Sequence, residues 1–279
     1  MLIAITTTIC YNKVIYCALH SKVNGKLILF FWRGCVNLQI ISGGKIMTRK
    51  TIFMSNVTRV NGRDISIGKT GKVQKFDERK LENANNVQKI IIDSNVFDVH
   101  VSVSASSNVE TRFYGEAEID GNISFKVENV NRELRITSNF EGICYNSNLR
   151  LDIIVPQKTF SSITFNSVSS NITIGEGVSA NFIKVDSQFG NVKTNATFTN
   201  ASISTTSGCI ELYANAKEDN ISFKISTKNG NVSAKFSSIG YLELFTRSIT
   251  GNVTNHYSSQ SGYHANGFIF TKTGDISIR

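Results

Sequence analysis

From Ser161 to Arg279 the chain repeats one order of side chains: apolar, polar, Ser or Thr, two residues, Gly, Asn or Asp, apolar. Phe165–Ile172, Val185–Val192, Ile203–Ile210, Ile225–Val232 and Ile269–Ile276 are the regular copies. Leu244–Val253 reads as a further copy with two extra residues, an insertion that keeps strand parity. The turn position falls at Ser170, Gly190, Gly208, Gly230, Gly251 and Gly274, at spacings of 20, 18, 22, 21 and 23. A period near twenty made of strand-type sequence predicts stacked turns. The expected fold is all-β: a single-stranded parallel β-helix or solenoid with about six short C-terminal coils, preceded by further β strands.

Each column of the repeat has a physical reading. Ile172, Val192, Ile210, Val232, Val253 and Ile276 follow the turn by two residues; Phe165, Val185, Ile203, Ile225 and Ile269 precede it by five. Stacked about 4.8 Å apart, these become buried apolar ladders. Ser167, Ser187, Thr205, Thr227 and Thr271 share the inward parity. A hydrogen-bonded ladder of hydroxyls is expected there, since buried unpaired hydroxyls are costly. Glycine at the corner is read as a need for positive φ, and the adjoining Asn or Asp as turn tolerance.

Upstream, Val87–Asp93, Val96–Val103, Val109–Ala117, Ile123–Val127, Glu133–Thr137 and Leu149–Val155 read as strands, with Pro156 closing that half. Asn56–Val73 reads as a hairpin broken at Asn61-Gly62. Its Gly68-Lys69-Thr70 lacks the phosphate-loop spacing from Gly62 and is read as a turn. The charged stretch Phe76–Asn86 reads as a linker. The expected divisions are therefore 1–46, 47–86 (hairpin and linker) and 87–279 (the solenoid domain).

Residues 1–46 differ from the rest. They hold the one Trp, three of the five Cys and no acid, while Lys13, Lys22, Lys26, Arg33 and Lys45 supply five of the net +9 charges. The apolar run Leu27–Trp32 is too short to span a bilayer, and the segment lacks the layout of a signal peptide. Ser42-Gly-Gly-Lys-Ile-Met47 is what a purine-rich ribosome-binding site, its spacer and a start codon would encode. Residues 1–46 are thus read as outside the native fold, with Met47 as the start.

Away from that segment no basic stripe with interleaved aromatics occurs, so nucleic acid is not an expected partner. Cys144 and Cys209 have neither disulfide-framework nor metal-ligand spacing and are read as buried thiols. No catalytic residue, metal site, cofactor or transmembrane segment is expected.

Ile90–Asp93 with Phe97–Val103, the strand Leu149-Arg-Leu-Asp-Ile-Ile-Val-Pro156, and the Thr-x-x-Gly-Asn/Asp-Val/Ile copies together resemble the bacterial "putative adhesin" family of β-solenoid domains. The resemblance covers roughly Val87–Arg279. It implies cell-surface attachment, whereas the lack of a visible secretion signal implies the cytoplasm. The expected function is a non-enzymatic, adhesin-like binding or structural module, its partner a protein or glycan surface, with homo-oligomerisation open to it. The alternatives are an intracellular scaffold and a polysaccharide-acting β-helix enzyme, which would need paired carboxylates among residues such as Asp186, Glu211 and Glu243. The loop His256–His264 is the longest non-strand insertion, and His256, Tyr257, Tyr263 and His264 are its candidate ligand-binding residues. The intact mass of the natively expressed protein checks the start: a product beginning at Met47 is expected, and one beginning at Met1 contradicts it.

Overall fold

The computed structural model describes the backbone of residues 6–11, 14–23, 26–32, 36–42, 45–52, 57–60 and 63–66. It also describes residues 72–279 apart from 95–96, 216–219, 260 and the side chains of 143 and 145. The chain divides into two compact units. In the first, Thr6–Tyr11, Val14–Val23, Lys26–Trp32, Val36–Ser42 and Lys45–Ile52 form an antiparallel sheet in chain order. Val57–Val60 pairs antiparallel with Arg63–Ser66. Gly68-Lys69-Thr70 lies outside the described residues.

The second unit comprises Val73–Ala117, Gly121–Gly142 and Ser147–Arg279. Its repeat produces two parallel ladders. The long strands Thr159–Ser169, Ser179–Phe189, Thr197–Ser207 and Ile221–Asn229 stack so that Phe165, Val185, Ile203 and Ile225 lie in one row. The short strands Ile172–Ile174, Val192–Thr194, Ile210–Asn215 and Val232–Ser237 align Ile172, Val192, Ile210 and Val232 in another. Both rows are buried throughout. Each such Ile, Val or Phe contributes about 1.5–3 kcal/mol by leaving water.

The all-β class agrees with the sequence, but the sheet is mixed rather than purely parallel. Glu110–Tyr114 runs antiparallel on Arg150–Ile154. The expected linker is also a strand, Lys72–Asn83, followed by a short 3-10 turn at Ala84–Asn86. Its charges are matched across strands: Arg79 with Glu110 at 2.6 Å, and Asp77 with Arg112 at 3.1 Å. Phe76 packs on Phe113, which also meets Phe97 and stacks on Phe125 at 4.9 Å.

Chain order and stacking order differ at both ends. The last long strand, Tyr263–Thr273, lies between Ile221–Asn229 and Ile239–Thr250. The last short strand, Ile276–Ile278, likewise lies between Val232–Ser237 and Val253–Asn255. The penultimate copy is therefore outermost. Its register sets Thr246 beside Ile269 and Ser248 beside Thr271, so it carries no two-residue insertion. The more apolar copy takes the two-sided position, and the copy with Thr246 in the apolar row takes the end. At the opposite end Lys89–Ser94 lies between Thr159–Ser169 and Glu133–Ser147, and Asp98–Ser104 between Ile172–Ile174 and Arg150–Pro156. The repeat thus reaches upstream of Pro156, which ends a strand paired with Ser104 rather than closing the stack.

The polar columns also bond differently from expectation. The hydroxyls are buried and in register from Ser94 through Ser167, Ser187, Thr205 and Thr227 to Thr271, with the half-buried Ser248 next in the row. They do not form one chain of hydroxyl-to-hydroxyl bonds. Thr227, Thr271 and Ser248 donate to the corner carbonyls of Gly208, Gly230 and Gly274 at 3.1, 3.0 and 2.8 Å. Ser187 donates to Phe189 O, and Ser94 pairs with Ser170. Among the described residues Ser167 and Thr205 have no hydrogen-bond partner. Parallel stacking puts each hydroxyl near a neighbour's bent corner, where a carbonyl is left over.

The Asn or Asp at each corner is a structural rail, not only a tolerant turn residue. Asp98 Oδ1 accepts from Asn171 N, Asn171 Oδ1 from Asn191 N, and Asn191 Oδ1 from Cys209 N, at 3.2, 3.1 and 2.9 Å. Asn231 Oδ1 accepts from Asp275 N, and Asp275 Oδ1 from Asn252 N, both at 2.8 Å. The rung between them is missing because Cys209 stands where an Asx oxygen belongs. That thiol is exposed, contrary to the buried site expected of it. Glycine at the corners answers mainly to close approach: a Cβ on Gly190 or Gly208 would overlap the carbonyl of Ser170 or Gly190 in the next copy. Positive φ accompanies this at Gly190, at 120°, but is not needed at Gly208. Supplying the missing rung with Cys209→Asn is expected to stabilise the unit by about 1 kcal/mol. Urea unfolding at pH 7 measures it, and an unchanged or lower midpoint contradicts the rail.

Candidate functional site

Strand alternation decides which side chains reach the surface. On the long ladder the outward parity carries Phe182, Asn200, Ser222, Asn266 and Glu243 in one row. The next outward row contains Lys224, Phe268 and Phe245. Between them Gly267 lies on the inward parity, where a Cβ would run into the buried Phe223 ring. The result is a shallow groove of about 670 Å³ lined by these residues.

Two rings form the floor's edge. Phe245 and Phe268 stack with centroids 5.5 Å apart and planes within 4°, and Phe268 lies 6.5 Å from Phe270. Phe245 is 59% exposed, although it sits in mid-strand. An apolar face of this kind beside Asn200, Asn266, Ser222, Lys224 and Glu243 offers stacking surface next to hydrogen-bond donors and acceptors. Glu243 is the one carboxylate in the lining. Glu211 instead pairs with Lys193 at 3.2 Å, and Asp186 lies beside Asn166 and Ser204. Among the described residues no three His, Cys, Asp or Glu side chains gather as a metal site.

The four residues expected from the His256–His264 loop divide between structural and surface positions. Tyr257 is an anchor: its hydroxyl donates to Ile239 O at 2.7 Å and its ring meets Phe236 edge-on. Burial pushes that phenol's pKa up. His256 is held through its backbone N–H to Ile278 O and is exposed. Tyr263 begins the last long strand, its N–H donating to Ser238 O. His264 packs against Tyr241 at 5.3 Å, in register one step beyond the Asn266–Glu243 pair. His264 and Tyr241 therefore form the outward row next to the Asn266–Glu243 row, and none of the four lines the groove itself. The signal missed in the sequence was parity: Phe245 and Phe268 fall on the outward phase of alternating strands, where an aromatic is unexpected in a purely structural repeat.

No family model matches the chain, and no curated protein does. Several solved structures are similar to it. One is a "putative cell adhesion protein" from Clostridium sporogenes, 11% identical, covering 74% of this chain and 99% of that one, with a TM-score of 0.47. Another is a "putative adhesin" from Bacteroides fragilis, 14% identical, covering 74% and 98%, with a TM-score of 0.45. A third, from Parabacteroides distasonis, bears the same description at 14% identity and a TM-score of 0.33. These neighbours carry the family name that the repeat motifs suggested. A likeness this distant says nothing of what this chain binds.

Proposed function

We propose that the chain is a non-enzymatic, adhesin-like binding module in which the two parallel ladders form one solenoid of short coils. On this reading the groove beside Phe245 and Phe268 is the recognition site and a glycan surface its target, met outside the cell. The observation that carries the reading is the stacked ring pair, exposed Phe245 on half-buried Phe268, set among amide, hydroxyl and charged side chains. Aromatic faces pack on the C–H faces of sugar rings, while Asn200, Asn266, Ser222 and Lys224 suit hydroxyls and carboxylates of a polysaccharide. The groove is open along the stack, which fits an extended polymer better than a small molecule. His264 and Tyr241 form the adjacent outward row and would widen the contact.

Hydrolysis of a glycosidic bond in the usual way needs two carboxylates facing each other across the substrate. With one carboxylate in the lining, the groove is better suited to holding a chain than to cutting it. No helix among the described residues is long and apolar enough to cross a membrane. Calorimetric titration of the full chain with neutral and acidic polysaccharides tests the proposal. Binding is expected, and Phe268→Ala should weaken it by about ten-fold, equivalent to one lost stacking contact. Absence of binding to every polysaccharide, or an unaltered affinity in the variant, would overturn it.

A further inference from the structure

The stack ends differently on its two sides. At one end, antiparallel Glu110–Tyr114 covers Arg150–Ile154, and Leu134, Ile136, Leu151 and Ile153 are fully buried. At the other, the described pairings give Ile239–Thr250 one neighbour, Tyr263–Thr273. Its inward residues Leu242 and Leu244 are half-buried. Val253 is 43% exposed, while its row neighbour Ile276 is 1% exposed. This twelve-residue strand thus presents its backbone donors and acceptors along an open edge. Long, regular, partly apolar edges are templates for another strand and are normally blunted.

The outward face of that strand reads Tyr241, Glu243, Phe245, Arg247, Ile249, all exposed. The order is complementary to its own reverse. Turned about Phe245, Tyr241 meets Ile249 and Glu243 meets Arg247. Among the described residues neither Glu243 nor Arg247 has an ion-pair partner; Glu243 accepts a hydrogen bond from Tyr241 at 3.2 Å. A foreign strand would have no need of this self-match. We infer that a second copy of this chain pairs antiparallel along Ile239–Thr250, with the two-fold axis at Phe245.

Directly opposed pairs of this kind, aromatic with apolar and acid with base, are the favourable cross-strand combinations. The two-fold pairing uses up both open edges at once and closes the assembly. It extends the sheet instead of covering its face, so the ring row Phe268–Phe245 continues into the second copy and the two grooves become one. The pairing goes beyond the adhesin-like reading and stands without it.

Sedimentation velocity on the full chain tests it, with a reversible dimer as the expected result. Glu243→Arg and Arg247→Glu each set like charges opposite one another, twice per dimer, and should each raise the dissociation constant about ten-fold or more. An equimolar mixture of the two variants should dimerise again, because each altered edge then meets opposite charge. A wild type monomeric at about 100 μM, single variants that dimerise like wild type, or a mixture that stays monomeric would each overturn the inference. If a variant fails to fold, Phe245→Cys serves: it should cross-link to itself on mild oxidation above the parent chain's level, and Tyr241→Cys should not. Equal cross-linking at the two positions, or none at Phe245→Cys, is equally fatal.

Discussion

Parallel pairing in register places each side chain beside its counterpart one copy away, about 4.8 Å distant. Every position must therefore tolerate a neighbour like itself. Isoleucine and valine do so by packing, which gives the two buried rows. Asparagine does so by accepting the next copy's backbone N–H, which gives the rail from Asp98 to Cys209 and from Asn231 to Asn252. Glycine does so by leaving room for the next carbonyl at each corner. Aspartate or lysine would not on an unbroken row, and the outward rows accordingly alternate sign and type, as with Lys193 beside Glu211.

Self-compatibility solves the interior and leaves the ends unsolved. A terminal copy has one neighbour, so its inward row faces water and its outer edge has free backbone groups. One end is closed by changing direction: an antiparallel strand and the Phe113 ring cluster cover it. At the other, the final strand is threaded inside and a more polar copy, with Thr246 and Ser248 inward, is left outermost. The same copy brings Phe245 and Glu243 to the groove. The exposed aromatic groove and the half-buried end copy thus coincide, where a regular scaffold is interrupted.

Much of the fold was legible because the repeat is written in side chains whose periodicity has one physical meaning. The rows led by Ile172 and Phe165 were found at their observed registers. The upstream copies at Lys89–Ser94 and Glu133–Ser147 were legible as strands but not as copies, since they share the apolar parity and lack the Thr-x-x-Gly corner. Their place in the stack depends on long-range pairing that no local pattern records. Charge misled at Lys72–Asn83, where cross-strand ion pairs make a polar strand look like a linker. In sequence the irregular stretch His256–His264 reads as a binding loop, but Tyr257 is there for support and the groove lies on regular strands nearby. Only His264 connects the two.

Stacking order departs from chain order at the C-terminal end. Amide hydrogen exchange on the native chain reads this directly, because a two-sided strand is better protected than an edge strand. At concentrations low enough to keep the chain monomeric, Tyr263–Thr273 should exchange slowly, close to Ile221–Asn229, while Ile239–Thr250 exchanges markedly faster. Protection that instead declines steadily from Ile221 through Ile239 to Thr273 would mean that the copies stack in chain order, and would contradict the account.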